Sequence, residues 1–204
     1  MTSQPKWKIE KKKILSMPIQ EKRQLYKSAD FVILDKVDPW FKYVVLNKGI
    51  EAKKHTLEDL NEFRKIKLDP SKNKVLSEKI DCIVNAANSQ LRAGGDIIHT
   101  VGPQDGSPSK LQSCYENCFA TLTENSLTTI AFPCICTGIY GFPNRLAAHI
   151  ALRNARRVLE ANEELSRVIF CTFMPLDVDI YETLMQMYFP VHGWNYNDGA
   201  SVSE

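Results

Sequence analysis

From residue 80 onward, short apolar runs alternate with helical patterns, and that alternation limits the chain to few architectures. The runs lie at 80–86, 97–101, 128–133 and 166–173, and the 3.6-residue periodicities lie at 109–125, 144–162 and 178–188. Strands alternating with helices predict an α/β fold with a mainly parallel sheet, because a parallel crossover is normally closed by a helix. Such sheets hold ligands at the carboxyl ends of their strands. Ser109 is the expected cap of the first long helix, with Leu111, Cys114, Cys118 and Leu122 facing inward.

The stretch with most chemical content follows the run at 128–133. Residues 134–143 read Cys-Ile-Cys-Thr-Gly-Ile-Tyr-Gly-Phe-Pro, and a helical pattern opens at Asn144. A strand, a glycine-punctuated loop and a helix start can hold a diphosphate through backbone N–H groups and the helix N-terminus. Gly138 and Gly141 let the backbone approach a ligand, Thr137 offers a hydroxyl and Tyr140 can flank it. Upstream, Asp81-Cys-Ile-Val-Asn-Ala-Ala-Asn88 is a buried-strand run ending in two amides, Asn85 and Asn88, at another strand end.

These segments resemble the macrodomain family, in particular its MacroD-type branch. The resemblance rests on Ile83–Ser89, Ile98–Pro103, Ala131–Asn144 and Val168–Phe173, with fainter matches at Trp7–Leu15 and Glu21–Tyr26. It implies a three-layer α/β/α macrodomain with a mixed, mainly parallel sheet, here incomplete, behind an N-terminal helical extension. The implied ligand is ADP-ribose, free or on modified proteins, and the implied reaction is hydrolysis of mono-ADP-ribose from acidic side chains or deacetylation of O-acetyl-ADP-ribose. By the same resemblance Cys136, Thr137, Gly138, Ile139, Tyr140, Gly141 and Phe142 wrap the diphosphate and distal ribose. Asn88 is the catalytic candidate, hydrogen-bonding the ribose beside the scissile bond, and Phe173 packs against the nucleotide. Asn85 reads as a tie between loops.

Two departures follow from the same comparison. Asn88-Ser-Gln-Leu-Arg-Ala-Gly-Gly95 runs straight into Asp96-Ile-Ile-His99, so the family's Val-Asp pair and the following helix and strand have no counterpart. Where the family carries Gly-Asp-Ile-Thr, whose Asp reads adenine, this chain has Asn73 and Lys74. Losing such an acceptor costs about 1 to 3 kcal/mol. Only ten residues, Ala87 to Asp96, join the runs at 80–86 and 97–101, fewer than the dozen or more a parallel crossover needs. Weak binding with little or no turnover is the expectation; the alternatives are a non-catalytic reader and a non-functional shortened form.

Around this core, residues 1–70 read as a basic extension, 71–190 as the domain, shortened between 88 and 96, and 191–204 as a flexible tail. Residues 1–70 carry 16 of the 26 Lys and Arg against 10 acids, while the remainder is acidic. Without interleaved aromatics the basic head reads as a solvated face and not as a nucleic-acid site. Residues 1–28 suggest a helical arm with Pro18 at its start, and Phe31–Leu34 and Phe41–Leu46 suggest two strands. Thr56-Leu-Glu-Asp59 reads as a capping box, with Leu57, Leu60 and Phe63 on one face. His99 reads as a core histidine. The six cysteines lack zinc spacing; Cys82, Cys134 and Cys171 read as buried thiols, and Cys136 has no nearby histidine to make it a nucleophile. No cofactor or metal is implied. The longest apolar runs fall far short of a membrane span of about 20 residues, and no signal-peptide core is seen, so a soluble intracellular protein is expected; a monomer in the nucleus and/or cytoplasm is the expectation, with the mitochondrion left open.

Overall fold

The computed structural model describes residues 9, 12–13, 16–24, 36–84 and 98–191, with backbone alone at 19, 22–23 and 81–84. Contacts divide the chain into two units, Met1–Val37 with Asn88–Ile98, and Asp38–Ala87 with His99–Glu204. In the first, helix α1 (Ile19–Gln24) begins directly after Pro18. The second contains α2 (Trp40–Leu46), α3 (Leu57–Phe63), α4 (Asn73–Glu78), β1 (Ile80–Val84), α5 (Pro108–Glu124), β2 (Thr129–Pro133), α6 (Asn144–Ala161), β3 (Arg167–Thr172) and α7 (Pro175–Tyr188).

The described sheet has three parallel strands in the order β1-β3-β2. Ile80 pairs with Val168 and Val84 with Thr172, while Thr129 pairs with Arg167 and Pro133 with Cys171. All three carboxyl ends therefore lie along one edge. β2, α6 and β3 form a β-α-β unit with the helix as its crossover. An aromatic cluster joins sheet to helices: Phe132 stacks on Phe170 at 5.9 Å and meets the edges of Tyr115 and Phe119 of α5 at 5.1 and 5.2 Å. Phe170 in turn meets Tyr181 of α7 at 5.2 Å. Leu111, Cys114, Cys118 and Leu122 of α5 are buried as the periodicity predicts. The fold is α/β with a small parallel sheet; an antiparallel strand is not among the described residues.

Several elements differ from the sequence reading. Phe41–Leu46 is helical: Trp40 and Val44, four residues apart, bury one face, and the Trp40 indole N–H donates to the Phe189 carbonyl at 3.0 Å. Tertiary burial overrides the strand preference of the aromatic and β-branched run. Residues 98–103 form no regular structure where a strand at 97–101 is expected, which removes the demand for a parallel crossover of ten residues. α5 is capped by Ser107, whose hydroxyl accepts from Lys110 N–H at 3.5 Å, with Pro108 in its first turn. α7 starts at Pro175, three residues before position 178. Leu57 is exposed because it sits at the first helical position, while Leu60 and Phe63 are buried. Cys134 and Cys171 are half-buried; among the described thiols the buried ones are Cys114 and Cys118, and the Cys82 side chain lies outside the described residues. Phe31–Leu34 and residues 191–204 other than Val191 lie outside the described residues.

The Thr56 capping box forms, with Asp59 N–H donating to Thr56 Oγ1 at 3.1 Å and Thr56 N–H to Asp59 Oδ2 at 2.7 Å. Asp59, wholly buried, does more than cap. Arg145 at the start of α6 donates to both its oxygens at 2.5 Å, and His149 Nε2 donates to Oδ1 at 3.1 Å. With Nε2 donating, His149 Nδ1 accepts from the Tyr188 hydroxyl of α7 at 2.9 Å. Burial opposes the Asp59 charge, but the hydrogen bonds from Arg145, His149 and the Thr56 backbone outweigh it and hold the carboxyl well below the usual range. A depressed folded-state value stabilises the fold above the unfolded carboxyl pKa of about 4, and this contribution fades as pH falls through the folded value. Asp59→Asn leaves the Arg145 guanidinium facing a neutral amide and should lower stability by about 3 kcal/mol in urea unfolding at pH 7. The wild-type advantage should shrink as the titration is repeated toward pH 3.

Candidate functional site

The loop between β2 and α6 is held in shape by its own backbone. Gly141 N–H donates to the Gly138 carbonyl at 2.9 Å, Phe142 N–H to the Cys136 carbonyl at 3.0 Å, and the Thr137 hydroxyl to the Cys134 carbonyl at 3.1 Å. Gly141 has φ +62°, the left-handed region that a side chain resists. Cys136 occupies the same region at φ +68° without glycine's freedom, a local strain that its surroundings must impose. Phe142 is buried and anchors the far end, whereas Gly138, Ile139 and Tyr140 project at the tip.

The loop delivers the chain to the start of α6 with Pro143 in the capping position. Proline offers no side-chain acceptor, so the first N–H groups of this 18-residue helix carry no side-chain cap. The partial positive charge of that end faces the loop. Its orientation is fixed from two sides, by the Arg145 fork on Asp59 and by Asn144, whose Nδ2 donates to Asp177 of α7 at 2.7 Å.

Phe173 follows the last residue of β3 and is 63% exposed, so it is not a core phenylalanine. Parallel pairing puts it on the same sheet edge as the glycine loop: Pro133 is paired with Cys171, and Cys134 Sγ contacts the Cys171 carbonyl at 4.0 Å. Beside the ring lies a cleft of about 380 Å³ bounded by Pro175, Val178 and Lys53, with Lys53 ion-paired to Asp179 and Glu182. The loop residues Cys136 to Phe142 and Phe173 thus share one edge of the sheet. Asn85 and Asn88, beyond the end of β1, lie outside the described residues, as does Asp96. Asn73, where the family's adenine-reading segment is expected, opens α4 and is buried.

Against the inner wall of the loop lies Gly102. A Cβ there would fall 1.9 Å from Cys136 Sγ and 3.1 Å from Ile135 Cγ2, so the segment before α5 approaches the loop as only glycine can. The thiols at this wall are poor nucleophiles: burial pushes Cys136 up, with the nearby Cys114 adding to it, and burial likewise raises Cys118 and Cys171. His99 is exposed and lines an open cleft of about 580 Å³ with Lys110 and Asn117, because the segment carrying it is not in the sheet.

Known proteins match on the same features. The Macro domain family matches residues 96–151, a span that includes the whole loop and the first half of α6. ADP-ribose glycohydrolase MACROD1 of Bos taurus is 31% identical, the alignment covering 91% of this chain and 71% of the relative. The chain belongs to the macrodomain family. Within its MacroD branch, ADP-ribose glycohydrolase MACROD2 of Mus musculus is 32% identical over 97% of this chain and 52% of the relative, so the chain spans about half the length of such relatives. The macro domain of ganglioside-induced differentiation-associated protein 2 shares the fold, with a TM-score of 0.51, 22% identity, and 80% and 99% of the two chains covered.

The MACROD2 alignment runs over 257 positions while this chain has 204 residues, so at least 53 of those positions, the difference, face gaps in it. Two contributors were invisible to motif reading. One is the Asp59 anchor, although a cation in the first turn of a helix, Arg145, is disfavoured by the dipole and signals a carboxylate partner. The other is Gly102, which reads as an ordinary turn residue until its neighbour is known. Gly102→Ala should displace Cys136 and with it the loop, lowering the unfolding free energy by about 1 to 3 kcal/mol. Gly49→Ala, where nothing lies within 4 Å of the added methyl, should leave stability near the wild-type value in the same denaturation series.

Proposed function

We propose that this chain binds ADP-ribose, with the diphosphate held by the backbone of Cys136 to Phe142 and the uncapped start of α6. Tyr140 and Phe173 flank the nucleotide, and Asn88 contacts the distal ribose. The observation that carries this reading is the loop itself: a glycine at positive φ, a self-bonded turn and a helix N-terminus with no side-chain cap, all on the carboxyl edge of a parallel sheet. The names of the relatives, ADP-ribose glycohydrolases, point to the same ligand.

The reaction we assign to the site is hydrolysis at the distal ribose C1″ of mono-ADP-ribose esterified to acidic side chains, or deacetylation of O-acetyl-ADP-ribose. In such a reaction the diphosphate and adenosine serve as remote handles that position the reacting end. Turnover here is weak or lost, since Asn88 is followed within eight residues by Asp96 and the branch's Val-Asp pair has no counterpart between them. That same shortening favours a second reading, a reader that holds ADP-ribosylated proteins without releasing the modification. Among the described residues no helix is long and apolar enough to cross a membrane. Separately from that, we place the protein, as a monomer, in the nucleus and/or cytoplasm.

Thermal unfolding in millimolar ADP-ribose tests the binding claim. An upward shift is expected, reaching about 2.7 kcal/mol of added stability at one hundred times Kd. Gly141→Val, which forces a β-branched residue to φ +62°, should abolish the shift. A melt indifferent to ligand would sink the reading. Release of label from a mono-ADP-ribosylated glutamyl protein should stay near background while that protein is still captured; brisk release would instead favour the hydrolase.

A further inference from the structure

At the other end of α6, a second cleft carries a different chemistry. Arg157 lies thirteen residues beyond Asn144, about 20 Å along the helix at 1.5 Å per residue. Around it, Lys65 and Lys67 from the segment after α3 and Lys72 from the turn before α4 line a cleft of about 460 Å³ with Asp69 and Glu160.

The two carboxylates are already engaged by the protein. Glu160 Oε1 accepts from Arg156 Nε at 2.7 Å and from Asp69 N–H at 3.1 Å; Asp69 Oδ1 accepts from Ser71 N–H at 3.0 Å and from its hydroxyl at 2.6 Å. Arg156, fully buried, also donates to the Tyr188 and Asp69 carbonyls at 2.8 Å, which makes the floor a rigid lattice. The cations at the rim are differently placed. Lys72 Nζ donates only to the uncharged Glu160 carbonyl at 2.7 Å, and exposed Lys67 and Arg157 make no hydrogen bond or ion pair among the described residues. Lys65 alone is matched, by Glu62 at 2.5 Å.

We propose that this cleft is a binding site for a compact polyphosphate anion, separate from the glycine loop. Cations from three chain segments converge on one concavity, which suits several phosphates close together. No aromatic ring lines it, so bases have nothing to stack on, and its only aliphatic lining, buried Ile66 and the single methyl of exposed Ala161, gives an apolar chain no floor.

Calorimetric titration of the full chain with inorganic tripolyphosphate, with ADP-ribose already saturating, tests the assignment. Binding should persist under those conditions, weaken as salt is raised, and fall at least tenfold in Lys67→Glu/Arg157→Glu. Because both side chains are exposed and unbonded, the variant should melt as the wild type does and shift with ADP-ribose to the same extent. Displacement of tripolyphosphate by ADP-ribose, or equal binding by the double variant, would overturn the site. So would affinity for single-stranded RNA or polyglutamate that exceeds tripolyphosphate and grows with chain length.

Discussion

The buried carboxylate of Asp59 is the interaction on which the rest of the second unit hangs. It lies in the first turn of a seven-residue helix, yet it joins the α3 cap, the start of α6 and, through His149 and Tyr188, the end of α7. A charge with no exposure is tolerable only when its acceptor sites are filled, and the Thr56 N–H, the Arg145 fork and His149 fill them. Arg145 would otherwise oppose the dipole at the helix start. With the carboxylate in place, the charge of Arg145 next to the loop's exit is compensated and the start of α6 is anchored to α3. The stability of this unit and the orientation of the helix that follows the loop are therefore set by the same ion pair.

The sequence was most legible where local chemistry decides the outcome. The strand, glycine loop and helix at 129–161 lie within a residue or two of their expected limits, and the Thr56 box forms with the residues its spacing implies. Legibility failed where tertiary contacts decide. Phe41–Leu46 has the composition of a strand, but Trp40 finds the Phe189 carbonyl, nearly 150 positions away, and a helix results. The loop of the candidate site was readable as a loop, while the role of its supports was not: Gly102, Asp59 and Asp177 act on residues remote in sequence, and local motifs such as the Thr56 box do not reveal those partners. Phe173 shows the converse, since its place at a strand end was evident and only the fold could show it exposed.

β3 occupies the centre of the sheet, and the outer edge of β2 has no strand beside it among the described residues. Thr129, Ala131 and Pro133 of β2 are exposed and only Phe132 is buried, so one face of this strand lacks cover. An uncovered edge invites pairing with another chain. Two features blunt it: the strand is five residues long, and Pro133 at its end has no N–H to offer.

What remains of the domain is arranged to protect the loop more than the sheet. Cys136 at positive φ can be held there because Gly102 fits against its sulfur, Phe142 plugs the core behind it, and the Phe142 N–H closes on the Cys136 carbonyl. Each contact comes from a part of the chain present in the described unit, none from the shortened segment. Among the described residues, these contacts alone account for the loop's shape. If the loop holds a diphosphate as proposed, a chain built this way keeps that cradle whether or not it retains chemistry at the ribose.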